Sequence, residues 1–289
     1  MTEIRLRANA KINLFLEVLD RRTDGYHNIE TVFQSIDLHD VIILRDGASG
    51  AIEIECDDTQ VPRDSSNLVY RAAELLMSES GKRCGAQIEI IKNIPIGAGL
   101  AGGSTDAAAT LVGLSELWAL GYEVGELCRL GGKIGADVPF CIMGGTALGR
   151  GRGDELTRLE PFPETPVVIA NPGFQVSTAH AYESLRLTGE RKSANIFVGS
   201  MKQNGVSDIG DKLYNIFESV ILEEHPQVRA IKEEFIRSGA LAAMMTGSGP
   251  TVFALARDAS SAQHLRERVS HLADFCIITR TSNFSIARM

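Results

Sequence analysis

The sequence predicts an α+β fold, with helices laid on one face of a mainly antiparallel sheet. Three observations predict it. Apolar residues alternate along residues 4–19, and β-branched runs recur at 31–36, 40–44, 51–55 and 87–91. Helical periodicity appears at 67–78 and again behind a glycine-rich loop that ends at Thr105. The second half mixes strand patterns at 167–170, 242–246, 251–256 and 276–279 with helical ones at 178–185, 227–238 and 264–273.

Ile4, Leu6 and Ala8, then Ile12, Leu14, Leu16 and Val18, predict one or two strands with Ala8-Asn9-Ala10-Lys11 inside. Lysine is almost never fully buried unless paired. Lys11 therefore either carries its ammonium out to solvent on its stem or points into a polar site, and the pattern leaves both open. Arg21-Arg22-Thr23-Asp24-Gly25-Tyr26-His27 is a turn on its Asp-Gly pair. Strands follow at 31–36, 40–44 and 51–55, and then a helix at 67–78 with Leu68, Ala72, Leu75 and Leu76 inward. Gln87-Ile88-Glu89-Ile90-Ile91 is a strand because β-branched residues dominate it. Ala107, Leu111, Leu114 and Trp118 recur at helical spacing, with Gly121 as the stop.

A short helix is predicted at 125–134, followed by Gly135-Ala136-Asp137-Val138-Pro139, where the proline disfavours helix at Val138. Residues 140–143 and 146–148 read as strands flanking Gly144-Gly145. The Gly/Arg-rich stretch 149–154 and the Pro-rich stretch 160–166 mark a boundary, which gives domains of 1–158 and 159–289. In the second half a strand at 167–170 and a helix at 178–185 lead into a polar stretch, 186–208, that reads as a lid or as plain surface loop. Helices at 214–222 and 227–238 follow. Strands at 242–246 and 251–256 flank Gly247-Ser248-Gly249-Pro250, and the last helix and last strand fall at 264–273 and 276–279.

The strand at 87–91 and the helix behind it are joined by Pro95-Ile96-Gly97-Ala98-Gly99-Leu100-Ala101-Gly102-Gly103-Ser104-Thr105. Glycines let backbone approach a ligand closely and adopt positive φ. A helix start adds unpaired N–H groups and the positive end of the dipole, so the segment is built to hold phosphate without any basic side chain. Gly97, Gly99 and Gly102 also match G-x-G-x-x-G, but a dinucleotide fold needs a second strand soon after the helix, and none precedes Glu123. No lysine follows the last glycine, so the Walker pattern fails; the H-R-D and D-F-G signatures of protein kinases are also absent.

The 289 residues are 44% hydrophobic and 23% charged, as in an ordinary globular protein, with a net charge of -8. That acidity argues against nucleic acid or an anionic membrane as the main partner. No apolar run approaches the roughly 20 residues of a membrane helix, and Met1 to Arg7 lacks a signal-peptide core. Cys56, Cys84, Cys128, Cys141 and Cys276 are scattered without a C-x-x-C pair, which suits reduced thiols in a cytoplasmic protein. The histidines show no metal-ligand spacing.

These motifs resemble the GHMP family of small-molecule kinases, named for galacto-, homoserine, mevalonate and phosphomevalonate kinases. Pro95 to Thr105 is similar to the family's central motif, and Met245-Thr246-Gly247-Ser248-Gly249-Pro250 to its C-terminal glycine loop. Ala10-Lys11-Ile12-Asn13-Leu14, Asp24-Gly25-Tyr26-His27, Gly135-Ala136-Asp137-Val138-Pro139 and Pro172-Gly173 narrow the likeness. It is to members that act on the cytidine diphosphate derivative of methylerythritol, in the non-mevalonate isoprenoid pathway. Gly25-Tyr26-His27 argues against homoserine or mevalonate as the alcohol.

The resemblance implies a ribosomal-S5-like N-terminal domain and a ferredoxin-like C-terminal domain with the site between them. It implies ATP and Mg²⁺, and phosphorylation of the substrate's 2-hydroxyl. By the same resemblance Asp137 takes the hydroxyl proton and Lys11 stands beside it as counter-charge. Residues Pro95, Ile96, Gly97, Ala98, Gly99, Leu100, Ala101, Gly102, Gly103, Ser104 and Thr105 cradle the ATP phosphates. Asn67, Leu68 and Lys92 lie on the adenine side. Tyr26, His27 and Tyr182 hold cytosine, and Asn13 and Thr178 contact the substrate's polar groups. Asp106 is left outside catalysis, as a complement to the helix dipole. Two positions depart from the pattern. Ala101 stands where many relatives have glycine, which an αR or β conformation would tolerate, and Tyr182 stands where phenylalanine is common.

Overall fold

The computed structural model describes residues 3–48, 50–82, 84–186, 191–204 and 209–289. Its frame is a long antiparallel pair. Strand β1 (Glu3–Arg21) and strand β2 (His27–Asp46) run side by side from Glu3↔Arg45 to Arg21↔His27, closed by the Asp24-Gly25 turn. Each is one strand, where the pattern allowed two in the first and predicted two in the second. The reason is a shift in register between Asn9 and Lys11, which face His39 and Ser35. It breaks the side-chain alternation without ending the ladder, as bulges do.

Strand β4 (Ala86–Ile91) pairs antiparallel with β2 and parallel with β3 (Ile52–Cys56). Helices α1 (Leu68–Ser80), α2 (Gly102–Leu117), α3 (Val124–Ile134) and α4 (Val138–Met143) cover this sheet. Helix α2 is made mostly of alanine and other small residues and is buried along most of its length. At Gly113 a Cβ would lie 2.2 Å from Leu44 Cδ1 and 2.8 Å from Leu6 Cδ1, so a side chain there would force both leucines to shift. Residues 140–143 form α4 rather than the predicted strand. Pro139 sits in the first turn, where its missing N–H removes no helical bond. Strands β5 (Thr146–Arg150) and β6 (Glu155–Arg158) make a hairpin on the lower half of β2.

The second sheet runs in the order β11-β7-β10-β9, all antiparallel, from β7 (Pro166–Asn171), β9 (Ala242–Met245), β10 (Val252–Leu255) and β11 (Phe275–Ser282). Helices α8 (Pro226–Arg237) and α9 (Ala259–Val269) pack on it through Val228, Ile231, Phe235, Ala262 and Leu265. β11 leaves this sheet at Thr281 and pairs with β2 through Thr281↔Ile36 and Ser282↔Ser35, so the two sheets are continuous. A further strand, β12 (Ile286–Arg288), then returns to β1; residues 276–279 are not the last strand.

Among the described residues three α-helices and a short strand lie between β7 and α8. They are α5 (Thr178–Ser184), α6 (Ala194–Asn204) and α7 (Glu218–Glu224), with the short β8 (Tyr214–Asn215) ahead of α7. The predicted helix at 214–222 is thus a bridge to β1 followed by a shorter helix. The polar stretch 186–208 holds α6, anchored by Phe197 on Phe15 at 6.1 Å; its residues 187–190 and 205–208 lie outside the described ones. Among the described residues no helix is long and apolar enough to cross a membrane, and all five cysteines are free thiols.

Candidate active site

A cavity of about 1050 Å³ opens between the two sheets. It is large for a single small ligand. β1, the glycine loop, the start of α4, the 21–27 turn, α5 and the 247–248 loop line it. Most residues singled out in the sequence therefore face one space.

The glycine loop reaches this space because α2 starts inside it, at Gly102. Its first helical bond runs from the Thr105 N–H to the Ala101 carbonyl at 2.9 Å. The N–H groups before Thr105 are the unpaired donors of a helix start, aimed where an anion would sit. Gly97 and Gly99 have φ of 66° and 76°. A Cβ on Gly99 would stand 2.4 Å from the Thr246 carbonyl oxygen, and one on Gly247 would stand 3.0 Å from that of Gly99. The two glycine-rich motifs thus touch backbone to backbone, and side chains at these positions would push them apart. Asn215 fixes the second loop by donating to the Met245 and Gly247 carbonyls, both at 2.8 Å. Ala101 is αL, with φ 60° and ψ 29°, not αR or β as expected. The helix start demands that turn, and here a residue with a Cβ makes it.

Lys11 is 4% exposed and its ammonium is surrounded. It donates to Asn13 Oδ1 at 2.8 Å and to the Gly99 carbonyl at 3.2 Å, stands 3.6 Å from Asp137 Oδ2, and lies 5.5 Å from the centre of the Phe33 ring. It points into the site. Asp137 heads α4, but its side chain caps nothing, so the carboxylate is free for the cavity. Phe140, one turn on, stacks on Phe33 at 4.7 Å; this contact sets α4 against β2 and brings Asp137 to Lys11. Asn13 is a brace. Its amide donates to Thr31 Oγ1 at 2.8 Å and accepts from Lys11 and from the Gly247 N–H at 3.1 Å.

The aromatic residues form a second group. His27 stacks on Tyr182 with ring centres 4.6 Å apart, and Tyr182 meets the face of Phe217 edge-on at 4.9 Å. Burial first, and then Arg21, lowers the His27 pKa below its usual value. Burial and then Asp137 push the Tyr182 phenol up to about 12. Tyr26 is exposed, with the Arg152 guanidinium 5.1 Å from its ring centre. Arg152 is itself held by Asp154 and by the Gly132 carbonyl at 3.2 Å. Thr178 meets Ser248, hydroxyl to hydroxyl, at 3.0 Å.

Several expected residues are placed differently. Leu100 and Thr105 are buried behind the loop, and the Thr105 hydroxyl donates to the Asn9 carbonyl at 2.8 Å. Asn67 is the N-cap of α1; its amide accepts from the Val69 N–H at 2.9 Å and donates to the Pro62 carbonyl at 2.6 Å, outside the cavity. Leu68 and Lys92 do line it, but the Lys92 ammonium is held by Asp40 and Asp106. Ser248 and Arg152 also line the cavity and were not singled out. Their glycine-rich surroundings at 247–249 and 149–154 were visible in the sequence. Among the described residues no group of three or more His, Cys, Asp or Glu side chains could hold a metal ion.

Comparison with known proteins bears on this geometry. The model for the GHMP kinases N terminal domain matches residues 67–145, and that for the GHMP kinases C terminal domain matches 197–273. A 4-diphosphocytidyl-2-C-methyl-D-erythritol kinase from Pelotomaculum thermopropionicum is 45% identical over 278 residues, covering 96% of this chain and 97% of the other. A crystal structure of 4-(cytidine 5'-diphospho)-2C-methyl-D-erythritol kinase superposes with a TM-score of 0.82 at 30% identity, over 96% of this chain and 99% of that one. A homoserine kinase from Cytophaga hutchinsonii has a TM-score of 0.81 at 22% identity, covering 100% of this chain and 98% of its own, which is a likeness of fold.

Proposed function

The chain belongs to the GHMP kinase family, and from that premise we propose that it transfers the γ-phosphoryl group of ATP to the 2-hydroxyl of 4-diphosphocytidyl-2-C-methyl-D-erythritol, in the non-mevalonate route to isoprenoid precursors. The observation that carries this reading is the Lys11–Asp137 pair at 3.6 Å, with Lys11 also bound to the Gly99 carbonyl of the phosphate loop. Phosphoryl transfer asks a protein mainly for alignment and charge stabilisation. The pair and the loop supply both side by side.

Asp137 accepts the proton of the 2-hydroxyl as its oxygen forms a bond to the γ-phosphorus. The bond from that phosphorus to the β–γ bridging oxygen breaks, and ADP leaves. Lys11 offsets charge on the moving group, and the unpaired N–H groups of the α2 start bind the phosphates. ATP enters beside Pro95 to Ser104, and Leu68 borders it. Mg²⁺ fits as an ion carried on the nucleotide, because the loop binds phosphate with backbone groups and contributes no cation of its own. It would neutralise phosphate charge there.

The cytidyl end lies against Tyr182, His27 and Tyr26. His27 stacks on the Tyr182 face, so a base that stacks on Tyr182 takes the place of the imidazole there and has its edge as a hydrogen-bond partner. Thr178 contacts the polar groups of the substrate, and Asn13 orients Lys11. The N-terminal part through residue 158 supplies the phosphate loop, and the part from 159 closes the cavity with α5 and the 247–249 loop. Measuring ADP release with 4-diphosphocytidyl-2-C-methyl-D-erythritol, homoserine and mevalonate as acceptors tests the reading. Turnover with the cytidyl acceptor alone supports it; preference for either other alcohol refutes it.

A further inference from the structure

Behind the glycine loop three ionisable side chains are buried together, and the transfer step uses none of them. They are Asp40 on β2, Asp106 in the second turn of α2, and Lys92 just after β4, whose side chain is 7% exposed and also borders the cavity. The Lys92 ammonium donates to Asp106 Oδ2 at 2.8 Å and to Asp40 Oδ2. The other Asp40 oxygen accepts the N–H groups of Asn93 and Ile94 at 2.6 and 2.8 Å. Those residues lead the chain into the loop, and Asp106 stands where the chain leaves it. A Cβ on Gly102 would lie 3.2 Å from Lys92 Nζ, so the ammonium sits directly under the helix start. The three side chains clasp the two ends of the loop.

Their formal charges do not balance. Two carboxylates and one ammonium leave a net negative charge shut away from water, where an unpaired charge is costly. It would also lie behind the very N–H groups that receive phosphate. The hydrogen bonds do not balance either. Asp40 uses both oxygens, on three donors, whereas Asp106 Oδ1 is buried with no partner. A proton on Asp106 removes both faults. It cancels the excess charge and provides a donor for the neighbouring Asp40 carboxylate.

We propose that Asp106 is a protonated carboxylic acid in the working enzyme, and that it is a positioning residue which holds the ATP-binding loop by closing a neutral Asp106–Lys92–Asp40 clasp. Burial and the Asp40 charge push the Asp106 carboxyl well above the ordinary carboxylate range, against the opposing Lys92. Burial works against the Lys92 charge, and the Asp40 carboxylate in contact with it favours that charge. Other titratable groups also face the clasp. Cys56 on β3 and Cys141 on α4 are thiols pushed up, chiefly by burial, and stay neutral. Asp57 has its Oδ1 engaged by the Lys92 backbone N–H at 2.9 Å.

The positioning role rests on the kinase reading; the protonation does not, and the test separates them. Infrared difference spectra at neutral pH, parent minus Asp106→Asn, should contain the C=O stretch of a protonated carboxylic acid. Absence of that band overturns the proposal whether or not the protein is a kinase. In steady-state kinetics Asp106→Leu, which leaves Lys92 and Asp40 short of a partner, should raise KM for ATP on the order of tenfold and leave KM for the cytidyl acceptor unchanged. Asp106→Asn keeps a donor and no charge, and should restore KM for ATP to near the parent value. An asparagine variant as impaired as the leucine one would mean that Asp106 works as an anion, and overturns the proposal. Equal shifts in both KM values with leucine would mean general loosening, and also overturn it. If Asp106→Leu does not fold, the asparagine variant and the infrared band decide. A parent that shows no turnover with ATP refutes the kinase reading and leaves the infrared result standing.

Discussion

The Lys11 ammonium and the Asp137 carboxylate meet at 3.6 Å, and neither is held there by its own local structure. Lys11 is pinned by Asn13 and the Gly99 carbonyl, and Asp137 is delivered by an α4 that leans on Phe33 through Phe140. The pair is a product of packing between β1, β2, the glycine loop and α4. That is the arrangement expected of a preorganised site, where reacting groups are fixed before substrate arrives.

Ala101 should be strained. A residue with a Cβ in αL costs roughly 1–2 kcal/mol, and replacing it with glycine gives back about 0.5–1 kcal/mol in unfolded-state freedom. Ala101→Gly should therefore stabilise the fold by about 0.5–1 kcal/mol and raise the melting temperature by roughly 1–4 °C. A lower melting temperature by calorimetry would mean that the loop is not strained at φ 60°.

Two glycines of the loop should fail for different reasons. A Cβ on Gly99 meets the Thr246 carbonyl at 2.4 Å, so Gly99→Ala must separate the two glycine loops. Displacements of about 1 Å cost on the order of 10²-fold in rate, and kcat/KM for ATP should fall by that order. A Cβ on Gly103 would touch only Leu68 Cδ1, at 3.9 Å. Gly103→Ala, in the first turn of α2, should thus favour the helix by less than the ~1 kcal/mol of a helix interior, yet weaken ATP binding by about tenfold or more, or ~1.4 kcal/mol, because the methyl group enters the phosphate space. Calorimetric ATP binding unchanged in Gly103→Ala would place the phosphates elsewhere.

Much of this was legible in the sequence, and the gaps have physical causes. The glycine loop was plain because glycine density, a β-branched strand before it and helical spacing behind it are all local signals. Lys11 was ambiguous because burial of its ammonium depends on Asn13, Gly99 and Asp137, which only the fold assembles. Residues 140–143 read as a strand because a short apolar run carries no period of its own, and α4 owes its form to packing under Gly131, where a Cβ would meet Val138 at 2.8 Å. Asp40 gave no signal, and Asp106 read as a complement to the helix dipole, whereas it lies buried beyond the first turn of α2 and binds Lys92. Each looks like an ordinary surface acid until Lys92 joins them.

Tyr182 should matter through its ring. Stacking of a base on an aromatic is worth roughly 1–3 kcal/mol by alanine substitution, or about tenfold to 150-fold in affinity. Tyr182→Ala should raise KM for the cytidyl acceptor by that order and leave KM for ATP nearly unchanged. Tyr182→Phe should be almost silent, since the phenol, pushed up to about 12, stays neutral and the ring keeps its contact with Phe217. A shift in the ATP constant instead would reverse the assignment of the two base pockets.

His27 should stay neutral to lower pH than a free histidine. Burial and Arg21 depress its pKa in the folded state. A depressed folded pKa means that the folded protein binds fewer protons, so its contribution to stability is present above pH 6.5 and lost as pH falls through the folded value. The ring resonances of His27 followed by NMR should titrate with a midpoint below 6.5, and KM for the cytidyl acceptor should rise as that midpoint is crossed. A midpoint at or above 6.5 would contradict the stacked, partly buried geometry.

In the proposed mechanism Asp137 takes the proton of the acceptor hydroxyl while Lys11 and the loop hold the charge. The most direct test is the single-turnover rate of phosphoryl transfer in Asp137→Asn, with ATP and 4-diphosphocytidyl-2-C-methyl-D-erythritol both saturating. Asparagine keeps the shape and removes the acceptor, and loss of a general base costs about 10²–10⁴ in rate. A fall of that order with ATP affinity unchanged is the expected result. A fall of less than about tenfold would contradict the account, because the Lys11–Asp137 pair would then align the substrates without moving a proton.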